Sequence, residues 1–275
     1  MAEVLNKTGP IIMGILNVTP DSFSDGGLYP STRDAVARGL EMVQQGADII
    51  DIGGESTRPG SQRVDAEEQK RRILDVISSL AKELSDDVLI SVDTTWSDVA
   101  EAALDAGAGF VNDVTGGTED KKMIELVVER GVPYCIMHMQ GRPGNMQDNP
   151  VYEDVCNEVK DFLLAQANIA LQAGIDRDKI FLDPGIGFGK RTAHNLSLLK
   201  GLNTLCDSEF GVLLGTSRKR FMGEICSVED PAQRMPATCA TTALGVYAGA
   251  RIFRVHDVWQ NRQAADTAFA ILNAT

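Results

Sequence analysis

The chain has 275 residues, 43% of them hydrophobic and 24% charged, which is ordinary for a globular chain long enough to bury a core without disulfides. An excess of 39 acidic over 26 basic residues gives a formal charge of −13; this argues against general nucleic-acid binding, which needs Lys and Arg against phosphate, but not against a small anion in a local positive pocket. Five cysteines with no CxxC fit reduced thiols in the cytoplasm, Lys7, Gly9 and Pro10 spoil any signal peptide at the start, and no apolar run approaches a membrane span.

Along the chain, short apolar runs alternate with longer amphipathic stretches. The runs cover residues 11–16, 48–52, 88–92, 110–114, 132–138, 180–182, 212–214 and 252–255. Most are apolar on both faces, as strands of a parallel sheet covered on both sides must be. Helical patterns over 32–45, 98–106, 119–130 and 152–173 are followed by Gly46, Gly107, Gly131 and Gly174. A glycine just past a helix is the expected left-handed cap. Repeated helix–Gly–strand units predict right-handed βα crossovers. Eight such units predict an α/β fold, a single (β/α)8 TIM barrel spanning residues 1–275 as one domain, with an open doubly wound sheet as the alternative.

In such a barrel the active site gathers at the C-terminal ends of the strands. The first strand runs into Asn17-Val18-Thr19-Pro20-Asp21-Ser22-Phe23-Ser24-Asp25-Gly26-Gly27, and the second into Gly53-Gly54-Glu55-Ser56-Thr57-Arg58-Pro59-Gly60. Asp93, Asn112-Asp113, His138, Asp183-Pro184-Gly185, Ser217-Arg218-Lys219 and Arg254-Val255-His256 follow at the later strand ends. A core has no use for so many carboxylates and amides. Asp93, Asn112 and Asp183 suit a flat heterocycle rich in N–H donors. Arg254 and His256 follow the last strand, where barrels often bind phosphate, and Arg58, Arg218 and Lys219 add positive charge. The two long polar loops, one carrying Phe23, read as lids. His138 reads as structural or a cleft wall, His194 as a cap, Trp96 and Trp259 as packing residues at helix starts, Asp113 as a strand-end cap, and Cys135 as core. The three histidines lack HExxH spacing, which argues against zinc.

These segments resemble the signatures of dihydropteroate synthases. Gly14 to Gly27 is similar to the family's first signature and Gly53 to Gly60 to its second. Ser91-Val92-Asp93-Thr94, Val111-Asn112-Asp113-Val114, Met137-His138-Met139, Leu182 to Lys190, Ser217-Arg218-Lys219 and Arg254 to Val258 follow in family order. The resemblance implies a transferase of folate biosynthesis that joins p-aminobenzoate to a dihydropterin pyrophosphate and is a target of sulfonamides. It implies that Asn17 helps hold Mg²⁺ on the substrate diphosphate, which Arg254 and His256 bind. It implies that Asp93, Asn112, Asp183 and Lys219 hold the pterin, that Arg254 stacks on it, and that Met137 and Phe188 wall it. By the same resemblance Phe23, Thr57, Arg58 and Pro59 shape the p-aminobenzoate pocket, with Ser217 and Lys219 nearby; Lys219, Arg254, His256 and Asp93 are the expected catalytic groups. Arg220 stands where many members have Ser. The family also implies a homodimer through the side of the barrel around residues 231–247. A pterin-binding methyltransferase and a non-catalytic pterin-binding protein are the alternatives; the loop from Thr19 to Gly27, Ser217-Arg218-Lys219, Asn17, Arg254 and His256 all weigh against them.

Overall fold

The computed structural model describes residues 3–19, 31–56, 61, 63–141 and 144–275. Eight parallel strands, β1 (Ile11–Asn17), β2 (Ile49–Gly53), β3 (Leu89–Asp93), β4 (Phe110–Asp113), β5 (Tyr134–Met137), β6 (Ile180–Asp183), β7 (Gly211–Leu214) and β8 (Ile252–Val255), close in sequence order, with β1 paired to both β2 and β8. Around them lie α1 (Thr32–Gln44), α2 (Ala66–Glu83), α3 (Ser97–Asp105), α4 (Lys122–Arg130), α5 (Val155–Ala173), α6 (Thr192–Lys200), α7 (Leu202–Cys206), α8 (Arg220–Cys226), α9 (Met235–Ala248) and α10 (Val258–Leu272). The expected (β/α)8 barrel is therefore the fold, and the open sheet is not.

The period of two along each strand separates two cores. Ile11, Met13, Ile49, Phe110, Cys135, Phe181, Leu213 and Ile252 fill the barrel interior, closed below by Val4 and Leu5. Their neighbours, such as Ile12, Ile50, Ile52, Val92, Val111, Ile136, Leu182 and Val255, pack outward against the helices. This explains why the runs look apolar on both faces.

Three predicted strands begin too early. Asp48, Val88 and Val132 precede the pairing, which starts at Ile49, Leu89 and Tyr134. Asp48 faces the opposite, N-terminal end of the barrel, where it accepts from Ile12 N (2.8 Å), Lys7 Nζ (2.5 Å) and Arg262 Nη1 (3.0 Å). Two helices also begin later than their patterns suggest. Asp154 caps α5 by accepting from Cys156 N and Asn157 N, and Asp120 accepts from Lys122 N at the start of α4, so the preceding residues stay in turns. Gly46, Gly107, Gly131 and Gly174 all take positive φ, as their place after a helix requires.

Candidate active site at the C-terminal mouth of the barrel

Register brings the polar strand ends together. Asp93 stands opposite Gly53 on one side and Asn112 on the other, and Met137 stands opposite Asp183. Two residues below Gly53, in the same inward phase, lies Asp51, which is fully buried. Its carboxylate accepts from Ser91 Oγ (2.6 Å), Asn112 Nδ2 (3.1 Å) and Arg254 Nε (2.6 Å). Arg254 then donates from Nη2 to Asp93 Oδ2 at 2.6 Å. One guanidinium thus bridges β8 to β2 and β3, and a single carboxylate orients both Asn112 and Arg254.

Sequence inspection missed Asp51. It lies inside an Ile-Ile-Asp-Ile strand and not beyond one, so the strand-end rule passes over it. A charged residue in an inward phase of an apolar run was the available signal.

The site is electrostatically tense. Burial pushes the Asp93 carboxyl up to about 7, with Arg254 opposing and Asp51 reinforcing the rise. Burial also raises Asp183, against the hydrogen bond that its Oδ1 accepts from Gly185 N (2.7 Å) and the charge of Lys219. Lys219 is pushed down to about 8, by burial first and then by Arg254, with Asp183 and Asp93 opposing. Its Nζ lies 3.8 Å from the centre of the Phe188 ring, a cation–π contact. Phe188, Met137, Val114 and Met146 form a small apolar cluster with Met139 against it. Met137 and Phe188, the expected pterin walls, thus meet in one apolar cluster with Val114 and Met146.

Ser217 and His256 meet. Ser217 Oγ accepts from His256 N (3.1 Å) and lies 2.9 Å from His256 Nδ1. A hydroxyl that accepts from the backbone can still donate to Nδ1, an arrangement in which the ring proton sits on Nε2. Asn17 ends β1, opposite Gly53, and β1 also pairs with the strand that leads to His256. The side chain of Arg220 is exposed and bound to Glu224 Oε1 at 3.0 Å. Phe23, Thr57, Arg58 and Pro59 lie outside the described residues.

Other polar residues of the strand ends are scaffolding. Asp113 is the cap it was expected to be: it accepts from Thr115 N, Thr115 Oγ1, Gly117 N and Tyr134 Oη. His138 is also structural. Its Nδ1 accepts from the buried Lys190 Nζ at 2.9 Å, its ring stands edge-on to Phe162, and burial holds it neutral by lowering its pKa to about 3. His194 caps α6 by accepting from Arg191 N at 3.2 Å.

A (β/α)8 barrel with ionisable groups of opposite sign crowded at its C-terminal mouth is the architecture of an enzyme. Comparison with known proteins narrows the class. A family model described as pterin binding enzyme matches residues 13–256. The Escherichia coli (strain K12) dihydropteroate synthase is 42% identical over 270 residues, covering 98% of this chain and 94% of that protein. A Xanthomonas albilineans dihydropteroate synthase solved with 4-aminobenzoic acid is 43% identical with a TM-score of 0.91, covering 98% of this chain and 95% of that one. The same organism's enzyme in complex with 7,8-dihydropteroate gives 40% identity and a TM-score of 0.88, covering 98% and 95%. The "Folate synthesis bifunctional protein, mitochondrial" of Pisum sativum is 44% identical over 95% of this chain, which spans only 53% of the length of that relative. The chain belongs to the pterin-binding enzymes, among the dihydropteroate synthases.

Proposed function

We infer that the protein condenses 6-hydroxymethyl-7,8-dihydropterin pyrophosphate with p-aminobenzoate, giving 7,8-dihydropteroate and pyrophosphate. The observation that carries this reading is the ring of Asp51, Asp93, Asn112, Asp183, Lys219 and Arg254 at the mouth, in a chain so similar to enzymes of that name. Asp93, Asn112 and Asp183 offer carboxylates and an amide to the N–H groups of a pterin edge. Lys219 and Phe188, with Met137, supply a cation and flat apolar walls.

The C–O bond from the pterin methylene to pyrophosphate breaks, and a C–N bond to the aromatic amine forms. The amine is neutral at pH 7 and carries its own lone pair, so no strong base is required; its proton passes to solvent or to the departing pyrophosphate. Departure of the polyanion dominates the barrier. Arg254 and His256 stand at the strand end that would receive it. The methylene becomes cation-like, and Asp93 and Asp183 hold fixed negative charge beside the ring. This favours bond breaking before bond making.

Among the described residues, no three His, Cys, Asp or Glu side chains gather as a metal site. The amide oxygen of Asn17 at the end of β1 suits Mg²⁺, which prefers oxygen and keeps several waters. When bound, Mg²⁺ would neutralise the leaving diphosphate, with Asn17 as its protein ligand. Phe23, Thr57, Arg58 and Pro59 would enclose p-aminobenzoate, and sulfonamides would compete there. The exposed Leu244 and Tyr247 of α9 and Trp259 of α10, on two helices packed together, support a homodimer through this side; sedimentation of Leu244→Glu as a monomer would bear this out. Five free cysteines suit a reducing cytoplasm, and no helix among the described residues is long and apolar enough to cross a membrane.

The test is product formation from the two substrates with Mg²⁺, with and without a sulfonamide. Equal amounts of dihydropteroate and pyrophosphate, lost on chelation and restored by Mg²⁺, are expected. Tight pterin binding without product would overturn the transferase reading in favour of a binding protein or a methyltransferase.

A further inference from the structure

Arg218 has φ of 58°, the left-handed region that a side chain with a Cβ rarely adopts. Such an outlier persists only where its surroundings over-determine it. Here they do. The Arg218 N–H donates to Thr238 Oγ1 of α9 at 3.1 Å, and its carbonyl accepts from Arg234 Nη1 at 3.2 Å. The guanidinium donates from Nε to Asp257 Oδ2 (2.9 Å) and from Nη2 to Asp257 Oδ1 (2.5 Å). This is a bidentate, partly buried pair, the geometry in which Arg is least replaceable by Lys.

The flanking residues show what this geometry does. Ser217, on one side of Arg218, holds the His256 ring and backbone. Lys219, on the other side, reaches the face of Phe188. Asp257 directly follows His256, and its carbonyl accepts from Asn261 Nδ2 at 2.8 Å as α10 begins. The ion pair therefore ties the loop after β7, which carries Ser217 and Lys219, to the loop after β8, which carries His256.

We propose that the Arg218–Asp257 pair is a positioning clamp that fixes the distance between the pterin- and amine-side cation Lys219 and the diphosphate-side imidazole of His256. Neither member needs to touch substrate. The strained turn lets Ser217 and Lys219 serve two different partners, and the fork to Asp257 keeps both loops in one register. The catalytic consequence rests on the transferase reading above. The structural claim, that the clamp sets the His256–Ser217 bond, does not.

The two claims are tested separately. The protein has only three histidines, so the His256 ring can be followed by NMR in Arg218→Met, Asp257→Asn and Arg218→Lys, with Ser217→Ala marking the unbonded ring. The His256 signal is expected to move toward the Ser217→Ala position in Arg218→Met and Asp257→Asn, and about halfway in Arg218→Lys, whose ammonium lacks the fork. In turnover, kcat is expected to fall about tenfold or more, with a smaller loss of dihydropterin affinity that comes through Lys219 alone, because Asp93, Asn112 and Asp183 lie on other strands. The double variant Arg218→Met/Asp257→Asn should be no worse than Arg218→Met alone. An unmoved His256 signal in both Asp257→Asn and Arg218→Met overturns the clamp, whatever the activity. A shifted signal in a protein that never forms product instead leaves the clamp standing and removes the transferase reading.

Discussion

Asp48, just before β2, and Asp51, at the middle of it, are buried carboxylates three residues apart, and their replacement should separate stability from function. Asp51 is fully buried and takes three hydrogen bonds, from Ser91, Asn112 and Arg254. Removing one partner of a buried ion pair leaves the other uncompensated and costs about 3–5 kcal/mol. Arg254 keeps Asp93 in the Asp51→Ala variant, which places the loss toward the lower end of that range. At roughly 2–4 °C per kcal/mol for a chain of this size, the melting point should fall by about 6–12 °C. Asp51→Asn keeps the shape and part of the hydrogen bonding, so about 1–3 kcal/mol is expected. Because the same carboxylate aims Asn112 and Arg254, kcat/KM for the dihydropterin should drop at least about tenfold in Asp51→Asn, or about 1.4 kcal/mol of transition-state binding. Asp48→Asn loses contacts to Lys7, Ile12 and Arg262 and should lose comparable stability with kcat/KM unchanged. Urea unfolding and initial rates on the same preparations decide the matter. Equal kcat/KM in Asp51→Asn and wild type, both measured where each is folded, would show that Asp51 only supports the barrel and refute the reasoning.

Burial pushes the Asp93 carboxyl up to about 7 from an ordinary value of 3.8, and the ionised form is the stronger acceptor for a ring N–H. Dihydropterin affinity should therefore be full above pH 7 and fall below it, by at most about tenfold per pH unit; calorimetry showing a flat profile from acid to neutral pH would rule this out. In the ligand-free protein the sign is opposite: a raised folded pKa means that this group's contribution to stability is present at acid pH and lost as the pH rises through 7. Arg251 donates to the carbonyls of Leu5, Lys7, Thr8 and Gly9, which tie down the segment closing the barrel floor. Arg251→Ala should cost about 1–3 kcal/mol and speed amide exchange in that segment, with kcat unaltered. Gly185 has φ of 64°, and a Cβ there would lie 1.9 Å from the His138 carbonyl oxygen. Gly185→Ala should destabilise by more than the roughly 1–2 kcal/mol of the backbone alone and weaken pterin binding through the displaced Asp183; a crystal structure with an unmoved Asp183 would count against the second part.

The barrel was legible because helix–Gly–strand units repeat and because burial on both faces leaves an unbroken apolar signature. The mouth was legible because barrels place polar residues at and beyond the C-terminal ends of the strands, where Asp93, Asn112 and Asp183 lie at the ends of their strands and Lys219 and His256 follow theirs. What stayed hidden depends on register between distant segments. Asp51 looks like a strand interior until β2 is set beside β3 and β8. Arg254 reads as a phosphate ligand, yet two of its nitrogens are engaged by Asp51 and Asp93, 203 and 161 residues away in sequence. Lys190 reads as the end of a glycine motif, but its buried ammonium donates to His138 Nδ1, His138 O and Phe188 O. It thereby joins the loops after β5 and β6 beneath the pterin wall. No one-dimensional pattern marks a cation whose partners are carbonyls.

The charge of the mouth links these groups to the chemistry. Asp51, Asp93 and Asp183 oppose Arg254 and Lys219, so with all ionised these five groups sum to one negative charge. In a buried site that surplus is uncomfortable without ligand, which is why burial and neighbouring carboxylates drive Asp93 upward while Arg254 is held protonated. The same surplus favours a pterin methylene that turns positive as its leaving group departs, since the charge is placed before the reaction and needs no reorganisation. It would repel a diphosphate, so cationic and donor groups must stand at the other side of the ring. His256 follows β8 and Asn17 ends the adjoining β1, while Arg254, within β8, stays paired with Asp51 and Asp93. Asp93 on β3 and Asp183 on β6 thus lie apart from His256 beyond β8, which sets a field across the barrel mouth. A field of that direction assists breaking of the C–O bond more than attack by a neutral amine. It is the reason the geometry favours departure before attack, and the reason a clamp that holds His256 in place should act on turnover more than on pterin affinity.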